Sequence, residues 1–351
     1  MKFPSLLPVI IGLAASMAVV TANAQQTQSQ NSAWLSTFSG FYETELGSVQ
    51  ACEAEKSNTF RVCSSALKND GNAPFVLHHG APTDTTVVLF HGLSDSPFFF
   101  SHIAPTLHEM GHTVIVALLP GHGKLDADDD MDDNKLAQRW AEHVDQVMAF
   151  AHANSKDVYV GGFSTGGALA TQYILKSSQP IKGLMLFSGA LALDESVENM
   201  AGYWGIKSLA KLLDWQYETQ GPNPYKYPSV ARHSAFMLID VIFDVREKLQ
   251  QNNGINIPIF SAHSEADVTT PIRGVKDLME VNKGLNVPFF IDKQFGVCHA
   301  DLVVSESQIV EMAYDATQVE GTEPCQIPEA NPLHDEMLAA LVDFLNQTAK
   351  L

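Results

Sequence analysis

The hydrophobic positions of this chain fall into short, nearly unbroken runs, separated by glycine-rich turns and by longer stretches with helical periodicity. Thr86-Val87-Val88-Leu89-Phe90, Val114-Ile115-Val116-Ala117-Leu118, Val158-Tyr159-Val160 and Leu184-Met185-Leu186-Phe187 each read as a buried strand. Two later runs, Asn256 to Ala262 and Val287-Pro288-Phe289-Phe290-Ile291, read the same way. Between them Asn134 to His152, Ala168 to Leu175, Ala201 to Leu213 and Val230 to Gln250 read as helices, and Asn31 to Ser48 adds one ahead of the first strand. The first apolar stretch has another character. Met1-Lys2 precedes Leu6 to Val20, which is broken by Pro8 and followed by Ala22-Asn23-Ala24 and the polar Gln25-Gln26-Thr27-Gln28. This is the pattern of a secretory signal peptide over residues 1–24. The run is short for a bilayer span, and no cysteine follows it to carry a lipid.

At 351 residues and 45% hydrophobic content the chain has ample material for a core, and it shows no internal repeat. The formal net charge of −19, to which the leader contributes only Lys2, disfavours nucleic acid, anionic substrates and anionic lipid surfaces. Neutral substrates, an exported location (periplasmic or extracellular) and no stable membrane anchor in the mature chain are expected. The four cysteines, Cys52, Cys63, Cys298 and Cys325, all follow the leader, so an oxidising compartment favours bridges. Three connectivities are open. Pairing by nearest partner gives Cys52–Cys63 and Cys298–Cys325. With no Cys-x-x-Cys and no tight Cys/His cluster, neither a metal nor a cofactor is expected. The acidic run Asp126 to Asp133 lacks the glycine and terminal glutamate of a calcium loop, and it reads as a solvated loop.

The candidate chemistry sits at the ends of the strand runs. Gly162-Phe163-Ser164-Thr165-Gly166 follows one strand and enters a helix, the pattern of a nucleophile elbow, in which both flanking positions must be small. His91-Gly92-Leu93 follows the strand that ends at Phe90. Gly92 permits a sharp turn, so the Leu93 N–H, with that of Thr165, can form an oxyanion hole. His91 reads as the residue that fixes this loop rather than as a base. Enzymes with this elbow carry serine, acid and histidine in that order. After the strand ending at Ala262, Asp267 in the loop before Pro271 suits the acid, with Glu265 the competitor. After the strand ending at Ile291, His299 suits the base. Among thirteen histidines, His263, His334 and His233 lack that strand-then-loop placement.

With these loops and the turn Pro120-Gly121-His122-Gly123, the chain from about Phe75 onward resembles the α/β-hydrolase family, in particular small carboxylesterases and monoacylglycerol lipases. The resemblance implies an α/β fold with a mostly parallel eight-stranded sheet, helices on both faces and serine acyl transfer. It divides the chain into an extension over residues 25–74 and a hydrolase domain over 75–351, with a helical cap at about 190–256. Tyr203, Trp204, Trp215, Tyr217, Tyr225 and Tyr227 crowd that cap, either lining an acyl pocket or burying its own core. One of Phe98-Phe99-Phe100 is a further candidate for the pocket wall. The leading expectation is an ester hydrolase for short to medium acyl chains. The alternative is a serine aminopeptidase or amidase, with Glu195, Glu198 or Glu218 holding the substrate amine. A non-catalytic binding protein on the same fold is the remaining rival.

Overall fold

A computed structural model of the chain describes residues 33–53, 57–201, 216–320 and 325–351. The expected leader and the stretch 202–215, which contains Tyr203, Trp204 and Trp215, lie outside these residues. The strands are β1 (Gln50–Ala51), β2 (Thr59–Cys63), β3 (Phe75–Leu77), β4 (Thr85–Phe90), β5 (Thr113–Ala117), β6 (Asp157–Phe163), β7 (Gly183–Phe187), β8 (Ile259–Ser264) and β9 (Asn286–Ile291). They form one nine-stranded sheet in the order β1-β2-β3-β5-β4-β6-β7-β8-β9. From β5 to β9 neighbours run parallel, while β1, β2 and β3 join antiparallel at the other edge.

The sheet therefore has nine strands where eight were expected: the segment before Phe75 supplies two of them, β1 and β2, and the chain from Phe75 onward supplies seven. Phe60 pairs with Val76 across β2–β3, and the Cys52–Cys63 disulfide joins the chain just past β1 to the end of β2. A helix over 33–40 joins the same core. The Trp34 ring stacks on Phe150 at 5.4 Å between centroids, and Phe38 and Tyr42 are buried beside it.

The central strands are apolar on both sides because both faces are covered. Val88 of β4 and Val160 of β6 face one cluster, with helices Leu136–Asn154, Thr165–Lys176 and Arg232–Gln251. Val87 and Leu89 face the other, with Ala104–Glu109 and His334–Thr348. Arg232–Gln251, expected inside the cap, thus packs in the face layer. It lies against Thr165–Lys176 and buries Phe236, Ile239 and Ile242. Among the described residues no helix is long and apolar enough to cross a membrane.

Candidate active site

Ser164 stands between β6 and the helix Thr165–Lys176 at φ +51° and ψ −115°, a backbone conformation costly for a residue with a side chain. The neighbours explain how it is held. A Cβ on Gly166 would run into the Phe90 carbonyl at the end of β4, and one on Gly162 would meet both that oxygen and the Gly166 backbone. Only glycine at both positions lets β4, β6 and the helix come this close. The Ser164 carbonyl accepts the N–H groups of Gly167 and Ala190, locking the turn from two sides. The serine is 6% exposed.

Loops after β8 and β9 deliver the other two groups. Ser164 Oγ–H donates to His299 Nε2 at 2.9 Å, and His299 Nδ1–H donates to Asp267 Oδ2 at 2.6 Å. The Asp267 carboxylate is itself held. Its Oδ1 accepts the N–H groups of Thr269 and Thr270 at 2.9 Å each, and its Oδ2 accepts the Thr270 hydroxyl at 3.0 Å. Burial alone would raise the Asp267 carboxyl. The charge and hydrogen bond of His299 and the Thr270 N–H outweigh it and hold the group below the usual carboxylate range. The Phe163 ring supports the imidazole, with centroids 4.9 Å apart.

The competing residues fall elsewhere. Glu265 is exposed and faces Lys276. His263 is the last residue but one of β8 and is buried. Its Nε2–H donates to the Thr270 carbonyl at 2.8 Å, so it braces the acid loop, and burial keeps it neutral. His334 opens the C-terminal helix, and His233 is buried within Arg232–Gln251.

Leu93 lies in the turn after β4, and Thr165 opens the elbow helix, where its N–H has no acceptor one turn back. His91 fixes the first of these loops. Leu119 N–H donates to its Nε2 at 3.0 Å, which leaves Nδ1–H to donate to the Gly92 carbonyl at 2.8 Å. Full burial, then the neighbouring His122, pushes its pKa well down, so it serves as a neutral strut.

Of the described cap aromatics, Tyr217 and Tyr227 are buried and Tyr225 is half-buried. Tyr217 packs edge-on against Tyr227, and Tyr225 stacks on Phe98 with centroids 3.7 Å apart. Phe98, Phe99 and Phe100 are all buried. The acids proposed to hold an amine are otherwise engaged or exposed. Glu198 takes two 2.8 Å bonds from Arg246 and the Leu193 N–H, Glu195 pairs with Arg273 at 3.1 Å, and Glu218 faces solvent. The acidic run is not the solvated loop expected. It contains the helix Asp128–Met131, in which Asp130 pairs with Lys124 and with Arg139 at 2.7 Å, while Asp133 and Glu45 also meet Arg139. Among the described residues no cluster of three or more His, Cys, Asp or Glu side chains is arranged to hold a metal. The structure pairs Cys52 with Cys63 and Cys298 with Cys325. Thr270 was missed in the sequence, although Asp267-Val268-Thr269-Thr270 before a proline is a pattern in which an aspartate caps its own turn.

A mostly parallel sheet that raises a serine on a strand-to-helix elbow and meets it with a histidine and an acid from later strand ends is the α/β-hydrolase fold, and this chain has it. Residues 81–239 match the family model described as serine aminopeptidase, S33. Part of the chain is 38% identical over 68 residues to a proline iminopeptidase of Elizabethkingia meningoseptica. That match covers 19% of this chain and 23% of the relative's length. Among solved structures, the metagenome-derived lipolytic enzymes LipS and LipT give a TM-score of 0.55 at 17% identity, over 68% of this chain and 94% of theirs. A monoacylglycerol lipase of Paleococcus ferrophilus gives 0.52 at 17% identity, over 76% and 96%. At these identities the structural likeness is one of fold.

Proposed function

We propose that the protein is an exported serine hydrolase that cleaves neutral carboxylic esters of short to medium acyl chain through an acyl-enzyme. The observation that carries this reading is the continuous relay from Ser164 through His299 to Asp267, at 2.9 and 2.6 Å. His299 Nε2 takes the Ser164 proton as Oγ attacks the ester carbonyl, and Asp267 stabilises the imidazolium. The N–H groups of Leu93 and Thr165 receive the oxyanion, each such donor typically contributing on the order of 10²–10³ in rate. The imidazolium then protonates the leaving alcohol, and a water activated by His299 releases the acid. Two disulfides and the Met1 to Ala24 leader pattern support export. N-terminal sequencing of the secreted chain is expected to begin at Gln25.

A second reading, a serine aminopeptidase, is favoured by the description of the matching family model and by the iminopeptidase match. It requires an acid free to hold the substrate amine. Glu198 is saturated by Arg246 and Leu193, and Glu195 and Glu218 are exposed, which favours the ester. A panel of nitrophenyl esters and aminoacyl anilides separates the two. Hydrolysis of esters at least a hundredfold faster in kcat/KM is expected, and a preference for the anilides would sink the ester reading. Failure of Ser164 to react with a fluorophosphonate would sink both.

A further inference from the structure

The loop Pro222 to Tyr227 lies directly on the turn that carries Leu93. Two fasteners join them at consecutive residues. Lys226 Nζ donates to Asp95 Oδ1 at 2.6 Å, and Tyr227 N–H donates to the Ser94 carbonyl at 2.8 Å. Both receiving residues are unusual. Asp95 is a carboxylate only 2% exposed, which is costly unless paired. Ser94 holds φ +66° without being glycine.

Their position matters for the chemistry. The Asp95 N–H closes the turn on the Gly92 carbonyl at 3.2 Å, and Asp95 Oδ2 occupies the space that a Cβ on Gly92 would need. The Phe163 ring borders the same space. The Gly92–Leu93 peptide, which carries the proposed oxyanion donor, is thus packed against Phe163 and a carboxylate that Lys226 bonds.

The loop is itself braced. Lys68 Nζ donates to the carbonyls of Lys226 at 3.1 Å and Asn223 at 3.4 Å. Asn69 and Asn72 donate their side-chain N–H groups to the Pro224 carbonyl at 3.0 and 3.1 Å. Tyr227 Oη–H donates to the Gly121 carbonyl at 3.1 Å and accepts the Lys124 N–H at 2.9 Å. The Tyr225 ring lies flat on Phe98. The segment before β3 and the Pro120–Gly123 turn therefore both brace this loop.

We propose that Pro222–Tyr227 is a strap that positions the oxyanion loop, with Lys226 acting through Asp95 as its positioning residue. The proposal rests on the serine-hydrolase reading given above. It assigns the segment before β3 a part in holding the site, and it makes the transition state, rather than the ground-state substrate, the species that depends on the strap.

The test compares Lys226→Met, Lys226→Arg and Asp95→Asn/Lys226→Met with the parent on a nitrophenyl ester, together with binding of an alkyl boronic acid. The boronate forms a tetrahedral adduct on the serine and places an oxygen where the oxyanion would sit. Lys226→Met is expected to lower kcat about 10–100-fold, part of the effect of losing a donor outright, with KM within threefold and boronate affinity falling in parallel. Lys226→Arg is expected to recover most of the loss, and the double variant to be no worse than Lys226→Met. If Lys226→Met does not fold, Lys226→Gln, which keeps a donor and loses the charge, is read in the same assays. A parental kcat in the uncharged variant overturns the proposal, as does a rise confined to KM or an unchanged boronate affinity. A parent that fails to react with fluorophosphonate overturns the hydrolase reading and the proposal with it.

Discussion

Thr270 holds Asp267 by two bonds, one to each carboxylate oxygen, and Thr269 adds a third. Its N–H and that of Thr269 reach Oδ1, and its hydroxyl reaches Oδ2 at 3.0 Å. The same hydroxyl stands 3.1 Å from His299 Nδ1 and 3.2 Å from the Ser188 carbonyl. Asp267 can therefore present Oδ2 to the imidazole in one orientation only.

Thr270→Val keeps the shape and removes the hydroxyl. A hydrogen bond to a charged group contributes about 1.5–3 kcal/mol, and kcat/KM is expected to fall about 10- to 100-fold. Thr270→Ser is expected to stay within threefold of the parent. The acid limb of the pH–rate profile supplies the second readout. It should steepen or move in Thr270→Val, where the ionised Asp267 has lost a donor. An unaltered kcat/KM and profile in the valine variant would remove Thr270 from the account.

Ser164 separates chemistry from stability. Ser164→Ala is expected to lower ester hydrolysis by on the order of 10⁴-fold or more with the fold retained. Ser164→Gly is equally inactive, but its backbone adopts φ +51° freely. Relief of roughly 1–3 kcal/mol of strain, less the added freedom of the unfolded chain, predicts a more stable protein than Ser164→Ala by about 1 kcal/mol. Denaturant unfolding of the two inactive variants makes the comparison. A less stable glycine variant would mean that the elbow stores no strain.

The parallel strands and the three loops at their ends were legible because each apolar run is bounded by its own turn residues, and serine, acid and histidine each follow a run. The strands β1 and β2 were not legible. They are two and five residues long, too short for a period, and their place in the sheet depends on the helix over 33–40 and a disulfide closing beside them. The acidic run was misread because its neutralising partners, Lys124, Arg139 and the Tyr217 N–H, come from three different elements. Lys226 and Asp95 stand 131 residues apart, and no spacing rule joins them. The helix Arg232–Gln251 read correctly as a helix. Its place on the sheet rather than in a cap is decided by the face it buries, which periodicity alone cannot assign.

Asp301, two residues past His299, provides a pH test. Burial, with help from Glu329, pushes its carboxyl up to about 6 even though the Glu329 N–H, Lys226 and His299 pull the other way. The folded chain thus keeps a proton that the unfolded chain releases near 3.8. Stability from this group is present at low pH and is lost as pH rises through that window, so above about 6 the ionised carboxylate weakens the fold. Asp301→Asn keeps the acceptor for Glu329 N–H and cannot ionise. It is expected to be more stable than the parent by about 1–3 kcal/mol at pH 8, with the gain vanishing near pH 4. Denaturant unfolding at the two pH values decides it. A loss at pH 8 would show that the carboxylate works in its charged form.

The Cys298–Cys325 bridge joins stability to catalysis. It closes a loop of sequence separation 27, and bridges of this size stabilise by about 2–4 kcal/mol, chiefly by restricting the unfolded chain. Cys298 is also the residue before His299, and its carbonyl accepts the Asp301 N–H at 3.1 Å, which shapes the turn bearing the imidazole. Without the bridge that turn gains freedom, while Ser164 stays fixed by its own elbow. The contact at risk is therefore the 2.9 Å bond between Ser164 Oγ and His299 Nε2. Cys298→Ser/Cys325→Ser is expected to unfold at lower temperature and to lose about 3- to 30-fold in kcat, with KM little changed, at temperatures where it is still folded, since small displacements of a catalytic group are costly. Cys52→Ser/Cys63→Ser, whose bridge lies at the far edge of the sheet, is expected to lose stability with kcat retained. Peptide mapping under non-reducing conditions checks the pairing first. Equal kcat in both double variants and the parent would show that the bridge beside His299 only staples its loop.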